Sequence, residues 1–85
     1  MSRYMNNIFL RCPMNTFGQR LKLLRINSKI TQKQIAQEFE ITERAYQNYE
    51  MDKSMPNAKL LISLADYFNV SLDYLVGRSN DPERH

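Results

Sequence analysis

Residues 31–53 carry the clearest structural signals of the chain and read TQKQIAQEFEITERAYQNYEMDK. It opens with Thr31 and Gln34 at the spacing of a capping box, in which each side chain satisfies a backbone N–H of the other residue. Further along, Thr42 is a favourable N-cap residue for a second helix. Ile41 lies between the two helices, where its side chain can fill the corner. The stretch therefore predicts two short helices joined by a tight turn, over residues 32–39 and 43–51.

Similar signals predict three more helices around this stretch, over residues 16–28, 58–69 and 72–76. Thr16 and Gln19 repeat the capping-box spacing at the start of the first of them. Asn57 can cap the fourth helix, and Ser71 can cap the short fifth one. Gly77 then provides a residue that ends a helix readily.

Apolar residues at helical spacing predict that the five helices share one core. The residues expected to be buried in it are Phe17, Leu21, Leu24, Ile35, Ala36, Phe39, Leu61, Leu64, Ala65, Phe68, Val70, Leu72 and Leu75. We therefore expect an all-α fold, a compact five-helix domain over residues 14–77. Residues 78–85 carry no apolar side chain and are expected to form a disordered polar tail. Residues 1–13 form an N-terminal extension that either packs on the domain or is dispensable.

Size and composition narrow the classes of function. A chain of 85 residues offers little material for a deep enzyme cleft, and it shows neither a nucleophile–base pair nor a glycine-rich phosphate loop, so we do not expect an enzyme. One cysteine (Cys12) and one histidine (His85) exclude an internal disulfide and a structural zinc site, and no cofactor or small-molecule ligand is evident. The longest nearly apolar run, residues 60–65, is too short to cross a bilayer, and the chain does not open with a signal peptide. The expected compartment is the cytoplasm.

The charge distribution adds a hint about the partner. Twelve Lys+Arg against nine Asp+Glu give a net charge of +3 and a pI near 9.2. Basic residues are in excess up to residue 63, and acidic residues are in excess after it. Such an asymmetry suits a chain that turns one face toward an anion.

The helix predicted over residues 43–51 has two different faces. Ala45, Tyr46 and Tyr49 share the side expected to face the core. The opposite side carries four hydrogen-bonding side chains, those of Glu43, Arg44, Gln47 and Asn48. When such a helix lies in the major groove of DNA, arginine can bond guanine, glutamine or asparagine can bond adenine, and glutamate can accept from cytosine. A solvated surface helix has the same kind of polar face, so this pattern alone leaves both interpretations open.

A set of residues, in order and at characteristic spacing, carries a resemblance to a known family. They are Leu21, Arg25, Thr31, Gln32, Ile35, Ala36, Ile41, Thr42, Tyr46, Tyr49, Glu50, Pro56, Leu60, Leu61, Leu64, Ala65 and the ending VSLDYLVG at residues 70–77. Over residues 17–77 the chain resembles the phage repressor–Cro type of helix-turn-helix DNA-binding proteins, the XRE-like transcriptional regulators. The resemblance implies a lambda-repressor-like fold with the helix-turn-helix at the second and third helices. It also implies a regulator that binds double-stranded DNA sequence-specifically, most simply a repressor that binds an inverted-repeat operator as a homodimer.

The resemblance also implies roles for individual residues. Those implied to contact bases from the helix over residues 43–51 are Thr42, Glu43, Arg44, Gln47 and Asn48. Those implied to contact phosphates are Gln32, Lys33, Tyr46, Lys53, Ser54, Asn57 and Lys59. Arg25 and Glu50 correspond to a salt bridge that ties the first helix to the third. Candidate contacts between two chains are Leu72, Tyr74, Leu75 and Val76, with Ile8, Phe9 and Leu10; the C-terminal ones equally suit the core of one chain.

Some residues depart from the family pattern. Lys29, Glu40 and Asp52 stand at or near positions where the family often has glycine, so we expect a left-handed backbone there, which costs a non-glycine residue about 1 kcal/mol or somewhat more. Tyr46 replaces a smaller aliphatic residue, and we expect the core to repack around its ring with the hydroxyl emerging beside a phosphate.

A second class of function stays open on the sequence. The same fold serves antitoxins and other modules whose main partner is another protein. Such a module would need a partner-binding extension, and the segments on either side of residues 14–77 are short. The DNA-binding regulator is therefore the favoured prediction.

Overall fold

The computed structural model describes residues 16–77, and the expectations for the two end segments lie outside these residues. The described part contains five helices and no strand: α1 (Phe17–Asn27), α2 (Gln32–Glu38), α3 (Glu43–Glu50), α4 (Ala58–Phe68) and α5 (Leu72–Leu75). Each begins and ends within one residue of its predicted bounds, and the all-α five-helix fold is confirmed. No helix between residues 16 and 77 is long and apolar enough to span a membrane.

Side-chain caps fix where every helix begins. The side chain of each N-cap residue accepts a hydrogen bond from the backbone N–H three residues later; these residues are Thr16, Thr31, Thr42, Asn57 and Ser71. Both predicted capping boxes are complete, since Gln19 and Gln34 return a bond to the backbone of the capping threonines. Each cap satisfies an N–H group that the helix itself leaves unpaired.

Each of the five helices is followed within two positions by a residue with a left-handed backbone, as predicted for the first three. Lys29, Glu40 and Asp52 follow α1, α2 and α3 with φ values of 61°, 58° and 59°. Asn69 after α4 and Gly77 after α5 have φ values of 56° and 90°. Asparagine and glycine adopt this conformation at little cost, whereas lysine, glutamate and aspartate are strained in it to different degrees.

All five helices contribute side chains to one core. Its buried members are Phe17, Leu21, Leu24, Ile35, Ala36, Tyr46, Leu64, Ala65, Phe68, Val70, Tyr74 and Leu75. Phe39, Ile41 and Leu61 pack against it partly buried. The prediction that Leu72 belongs to the core is wrong, since its side chain is 40% exposed. In a helix of only four residues, Tyr74 and Leu75 already occupy the inward positions.

A buried arginine closes the core between α1 and α5. Arg20 is only 3% exposed. Its Nη1 donates a hydrogen bond to the carbonyl oxygen of Tyr74 at 3.0 Å, and its guanidinium carbon lies 4.5 Å from the centre of the Tyr74 ring. The expectation that Tyr74 and Leu75 contact a second chain is therefore wrong, because both side chains are already buried within one chain. Leu72 and Val76 keep accessible surface.

Candidate nucleic-acid interface

Helices α2 and α3 form a helix-turn-helix whose corner consists of residues 39–42. The backbone N–H of Ile41 donates to the carbonyl oxygen of Ala36 at 3.0 Å, and that of Glu40 donates to Gln37 at 3.1 Å. Ile41 is partly buried against the core, as predicted for a residue that fills the corner. The capped start of α3 at Thr42 then sets the direction in which this helix leaves the turn.

The inward face of α3 is held by Tyr46 and Glu50, one helical turn apart and both buried. Tyr46 is fully inaccessible to solvent, and its hydroxyl has no well-formed hydrogen bond to another residue of the described part. Burial raises the pKa of the Tyr46 hydroxyl far above its usual range, and the neighbouring Glu50 carboxylate raises it further. The expected phosphate contact of Tyr46 is therefore wrong, because the ring points into the core and takes the hydroxyl with it.

A salt bridge ties α3 to α1, as the resemblance implied. Arg25 Nε donates to Glu50 Oε2 at 2.6 Å, and Arg25 Nη2 donates to Oε1 at 3.3 Å. Arg25 Nη1 donates to the carbonyl oxygen of Ile30 at 3.0 Å, which also anchors the chain that leads into α2. The bond to Glu50 raises the pKa of the Arg25 guanidinium above its ordinary value. This paired arrangement fixes both the distance and the rotation of α3 relative to α1.

A second anchor, which sequence reasoning missed, joins the start of α1 to the end of α3. The backbone N–H of Gly18 donates to Asp52 Oδ1 at 2.8 Å. A Cβ atom on Gly18 would come 2.8 Å from Asp52 Oδ2 and closer still to the carbonyl oxygen of Glu50. A glycine inside a helix is destabilising by itself, so its presence in α1 was a signal that another backbone passes close by.

The outward face of α3 brings together the residues expected to contact bases. Thr42, Glu43 and Arg44 are exposed at the N-terminal end of the helix, and Gln47 and Asn48 are partly exposed one turn later. Thr42 Oγ1 accepts the N–H of Ala45 at 3.0 Å, which leaves its hydroxyl proton available to another acceptor. The result is a polar, hydrogen-bonding surface on a helix whose other side is fixed in the core.

The residues expected to contact phosphates lie on the elements before and after α3. Lys33 is exposed in the first turn of α2, and Lys53 and Ser54 are exposed in the turn after α3. Asn57 and Lys59 are exposed at the start of α4. The Asn57 Oδ1 is occupied by the N–H of Leu60 at 2.8 Å, so its amide nitrogen is the group left to donate. The side chains of these five residues are therefore accessible to a ligand from solvent.

The side chain of Gln32 connects α2 to α3 through two hydrogen bonds. Its Nε2 donates to Glu50 Oε1 at 3.0 Å, and its Oε1 accepts a hydrogen bond from Gln47 Nε2 at 3.3 Å. A cleft of about 330 Å³ opens at this point, lined by Lys22, Gln32, Gln47, Glu50 and Met51. Within residues 16–77 no group of three or more His, Cys, Asp or Glu side chains is placed to hold a metal ion.

The fold and this surface define a class of protein. Residues 18–80 match the family model described as "Helix-turn-helix domain", and the chain belongs to this XRE-like helix-turn-helix family of DNA-binding transcriptional regulators. Members of the family are DNA-binding regulators rather than enzymes.

Curated relatives agree with this family. The chain is 37% identical over 67 residues to the uncharacterized HTH-type transcriptional regulator YobD of Bacillus subtilis (strain 168). The aligned residues make up 79% of the chain and 60% of YobD. It is 41% identical over 66 residues to the uncharacterized regulator YqaE of the same organism, covering 76% of the chain and 57% of YqaE. With ImmR, named as an HTH-type transcriptional regulator of that organism, it shares 38% identity over 63 residues, 74% of the chain and 50% of ImmR. The chain thus spans between half and three fifths of the length of these relatives.

Proposed function

We propose that this chain binds double-stranded DNA sequence-specifically and regulates transcription, with α3 lying in the major groove. The observation that carries the proposal is the division of α3 into two faces. Tyr46 and Glu50 fix one face in the core, and Arg44 with its polar neighbours faces solvent. A helix rigidly held in this way can present several donors and acceptors to base edges without first becoming ordered, which lowers the cost of binding. The names of the relatives as transcriptional regulators support the same role.

Base contacts are assigned by the chemistry of the outward side chains. Arg44 suits guanine, whose O6 and N7 both accept hydrogen bonds, and Glu43 suits the amino group of cytosine. Asn48 and Gln47 suit adenine, and the Thr42 hydroxyl can bond either kind of partner. These five residues would distinguish one DNA sequence from another.

Phosphate contacts are assigned to residues that fix the orientation of the helix on the duplex. They are Gln32, Lys33, Lys53, Ser54, Asn57 and Lys59. Such contacts carry no sequence information by themselves, but they hold the reading helix in register. Contacts from lysine also make the affinity fall as salt rises, because bound counterions are released from the DNA.

A homodimer on an inverted repeat is part of the proposal. One helix-turn-helix reads only a few base pairs, and two copies related by a two-fold axis place their reading helices about 34–36 Å apart on one face of the DNA. Leu72, 40% exposed at the start of α5, and the partly exposed Val76 are the contacts we assign to the second chain. Occupation of a promoter by such a dimer would repress transcription.

The proposal is tested by selecting binding sites from a random duplex library at about 150 mM salt, where nonspecific attraction to the backbone is weakened. We expect an inverted repeat with half-sites one helical turn apart. If folded protein selects no motif, the outward face of α3 serves a protein partner instead, and the proposal is wrong.

The dimer contact is tested with Leu72→Glu, measuring the molar mass in solution and the affinity for the repeat. We expect this variant to lose dimer while keeping its fold, and to bind the full repeat no better than one half-site. Ile62→Glu is the matched control, because Ile62 is an exposed aliphatic residue of α4 that is not assigned to the contact. Equal behaviour of the two variants would contradict the assignment.

A further inference from the structure

A continuous chain of hydrogen bonds runs from the salt bridge inside the domain to the outward face of α3. Arg25 donates to Glu50, Gln32 donates to the same carboxylate at 3.0 Å, and Gln47 donates to Gln32 at 3.3 Å. These hydrogen bonds therefore link α1, α2 and α3 through side chains alone. Its last member, Gln47, is one of the residues assigned to base reading.

The chemistry of these groups fixes the direction of every bond. A carboxylate has only acceptor oxygens, so the atom of the Gln32 amide that faces Glu50 must be its nitrogen. The other end of that amide, Oε1, then faces α3 and can only accept. The atom of Gln47 that approaches it must therefore be Nε2. Reversing the Gln47 amide would bring two acceptor oxygens together and lose the bond.

We propose that Glu50 and Gln32 are positioning residues that determine which end of the Gln47 amide faces DNA, and that Gln47 consequently reads a base with an exocyclic amino group. This inference rests on the proposed function and adds a specificity to it. With Nε2 turned back to Gln32, Oε1 of Gln47 is the atom left as an acceptor. In the major groove the amino groups of adenine and cytosine are donors, whereas guanine and thymine present acceptor oxygens there.

Adenine fits this arrangement best. Its amino group donates to an acceptor such as Gln47 Oε1, and its N7 accepts the second N–H of Nε2. A glutamine amide without such a partner can rotate to present either end, so it would accept guanine or thymine with little penalty. Through these hydrogen bonds the Glu50 carboxylate determines which class of base Gln47 prefers, although Glu50 itself is only 8% exposed.

The inference is tested by comparing the sites selected by the wild type, Gln47→Ala, Gln32→Met and Gln37→Met. Gln47→Ala identifies the position that Gln47 reads, since preference there should disappear. Gln32→Met keeps a long unbranched side chain but removes the amide and leaves the Arg25 pair with Glu50 in place. Gln37→Met is the matched control, an identical change at an exposed position of the same helix.

We expect the wild type to select adenine or cytosine at the Gln47 position, with adenine preferred. Gln32→Met should reduce that preference by roughly tenfold, within the range of one base contact, and leave the other positions unchanged. Gln37→Met should select the same sites as the wild type. Melting curves establish that each variant is folded before its sites are compared.

Three results would overturn the inference while leaving the proposed function intact. They are selection of guanine or thymine at that position, a Gln47→Ala variant with unchanged preferences, and a Gln32→Met variant that keeps the wild-type preference at that position, whether or not loss of its phosphate contact lowers the affinity for all sequences. A wild type that selects no motif would overturn the proposed function and this inference together.

The same series of hydrogen bonds can be tested without DNA, by nuclear magnetic resonance of the side-chain amides. In the free protein the side-chain amide protons of Gln47 should have resonances distinct from those of exposed Gln37, and Gln32→Met should move them toward the values of Gln37. Gln47 resonances that are unchanged by Gln32→Met would show that Gln32 does not hold the amide, which overturns the inference.

Discussion

Replacing Glu40 by glycine should make the domain more stable. Glu40 follows α2 with a φ of 58°, and its exposed side chain forms no hydrogen bond or ion pair with another residue of the described part. A side chain in this backbone conformation costs about 1–2 kcal/mol. Glycine removes that strain but loses about 0.4–1 kcal/mol through its greater freedom in the unfolded chain. The net gain is about 0.5–1 kcal/mol, which raises the melting temperature of a domain of this size by about 2–8 °C.

The assay is thermal unfolding followed by circular dichroism, with Glu40→Ala as the matched control. Alanine removes the same charge but keeps a Cβ atom, so the strain remains and the melting temperature should stay near that of the wild type. Asp52 gives a second comparison, because it has a φ of 59° but its carboxylate accepts the N–H of Gly18 at 2.8 Å. Asp52→Gly loses this bond, worth about 1 kcal/mol, and should gain nothing. If Glu40→Gly melts no higher than Glu40→Ala, the argument from backbone strain is refuted.

Three further predictions address the DNA surface and the helix packing. Arg44→Ala should weaken binding to the best site by about 1–3 kcal/mol and relax preference at one base position, and equal losses on all sequences would make Arg44 a phosphate contact. Lys53→Ala should weaken binding to every sequence and reduce the slope of log affinity against log salt by about 1, whereas an unchanged slope would remove Lys53 from the backbone contacts. Gly18→Ala should destabilise the domain by about 1–3 kcal/mol in denaturant unfolding, because its Cβ would overlap the carbonyl oxygen of Glu50. An unchanged midpoint would mean that α1 and α3 separate at no cost.

The parts of the fold that depend on local chemistry could be predicted from the sequence. A capping threonine and its partner glutamine lie three residues apart, so Thr16 and Thr31 identify the starts of α1 and α2 without knowledge of the rest of the chain. The left-handed conformation of Lys29, Glu40 and Asp52 was expected from the resemblance instead, because the family often has glycine at or near these positions. Apolar spacing then identifies most of the core, because a helix buries the same face along its length.

The parts that depend on contacts between distant residues could not be predicted in this way. Arg20 reaches Tyr74 across 54 positions, and no periodic pattern marks that pair. Tyr46 was correctly placed on the inward face, but the sequence does not tell how deep a long side chain lies, and its hydroxyl proved to be buried. The hydrogen bonds of Gln32 likewise depend on how α1, α2 and α3 are oriented. That orientation is set by the core, by the salt bridge of Glu50 and by the bond of Asp52 to Gly18.

The central claim is that α3 reads base edges in the major groove, and chemical interference on a selected operator tests it most directly. Methylation at N7 of guanine places a methyl group in the major groove, whereas methylation at N3 of adenine places one in the minor groove. We predict that N7 methylation within each half-site blocks binding, and that Arg44→Ala becomes insensitive to the modified guanine that Arg44 contacts. Interference confined to adenine N3, or no interference in either groove, would contradict the claim that this helix reads DNA from the major groove.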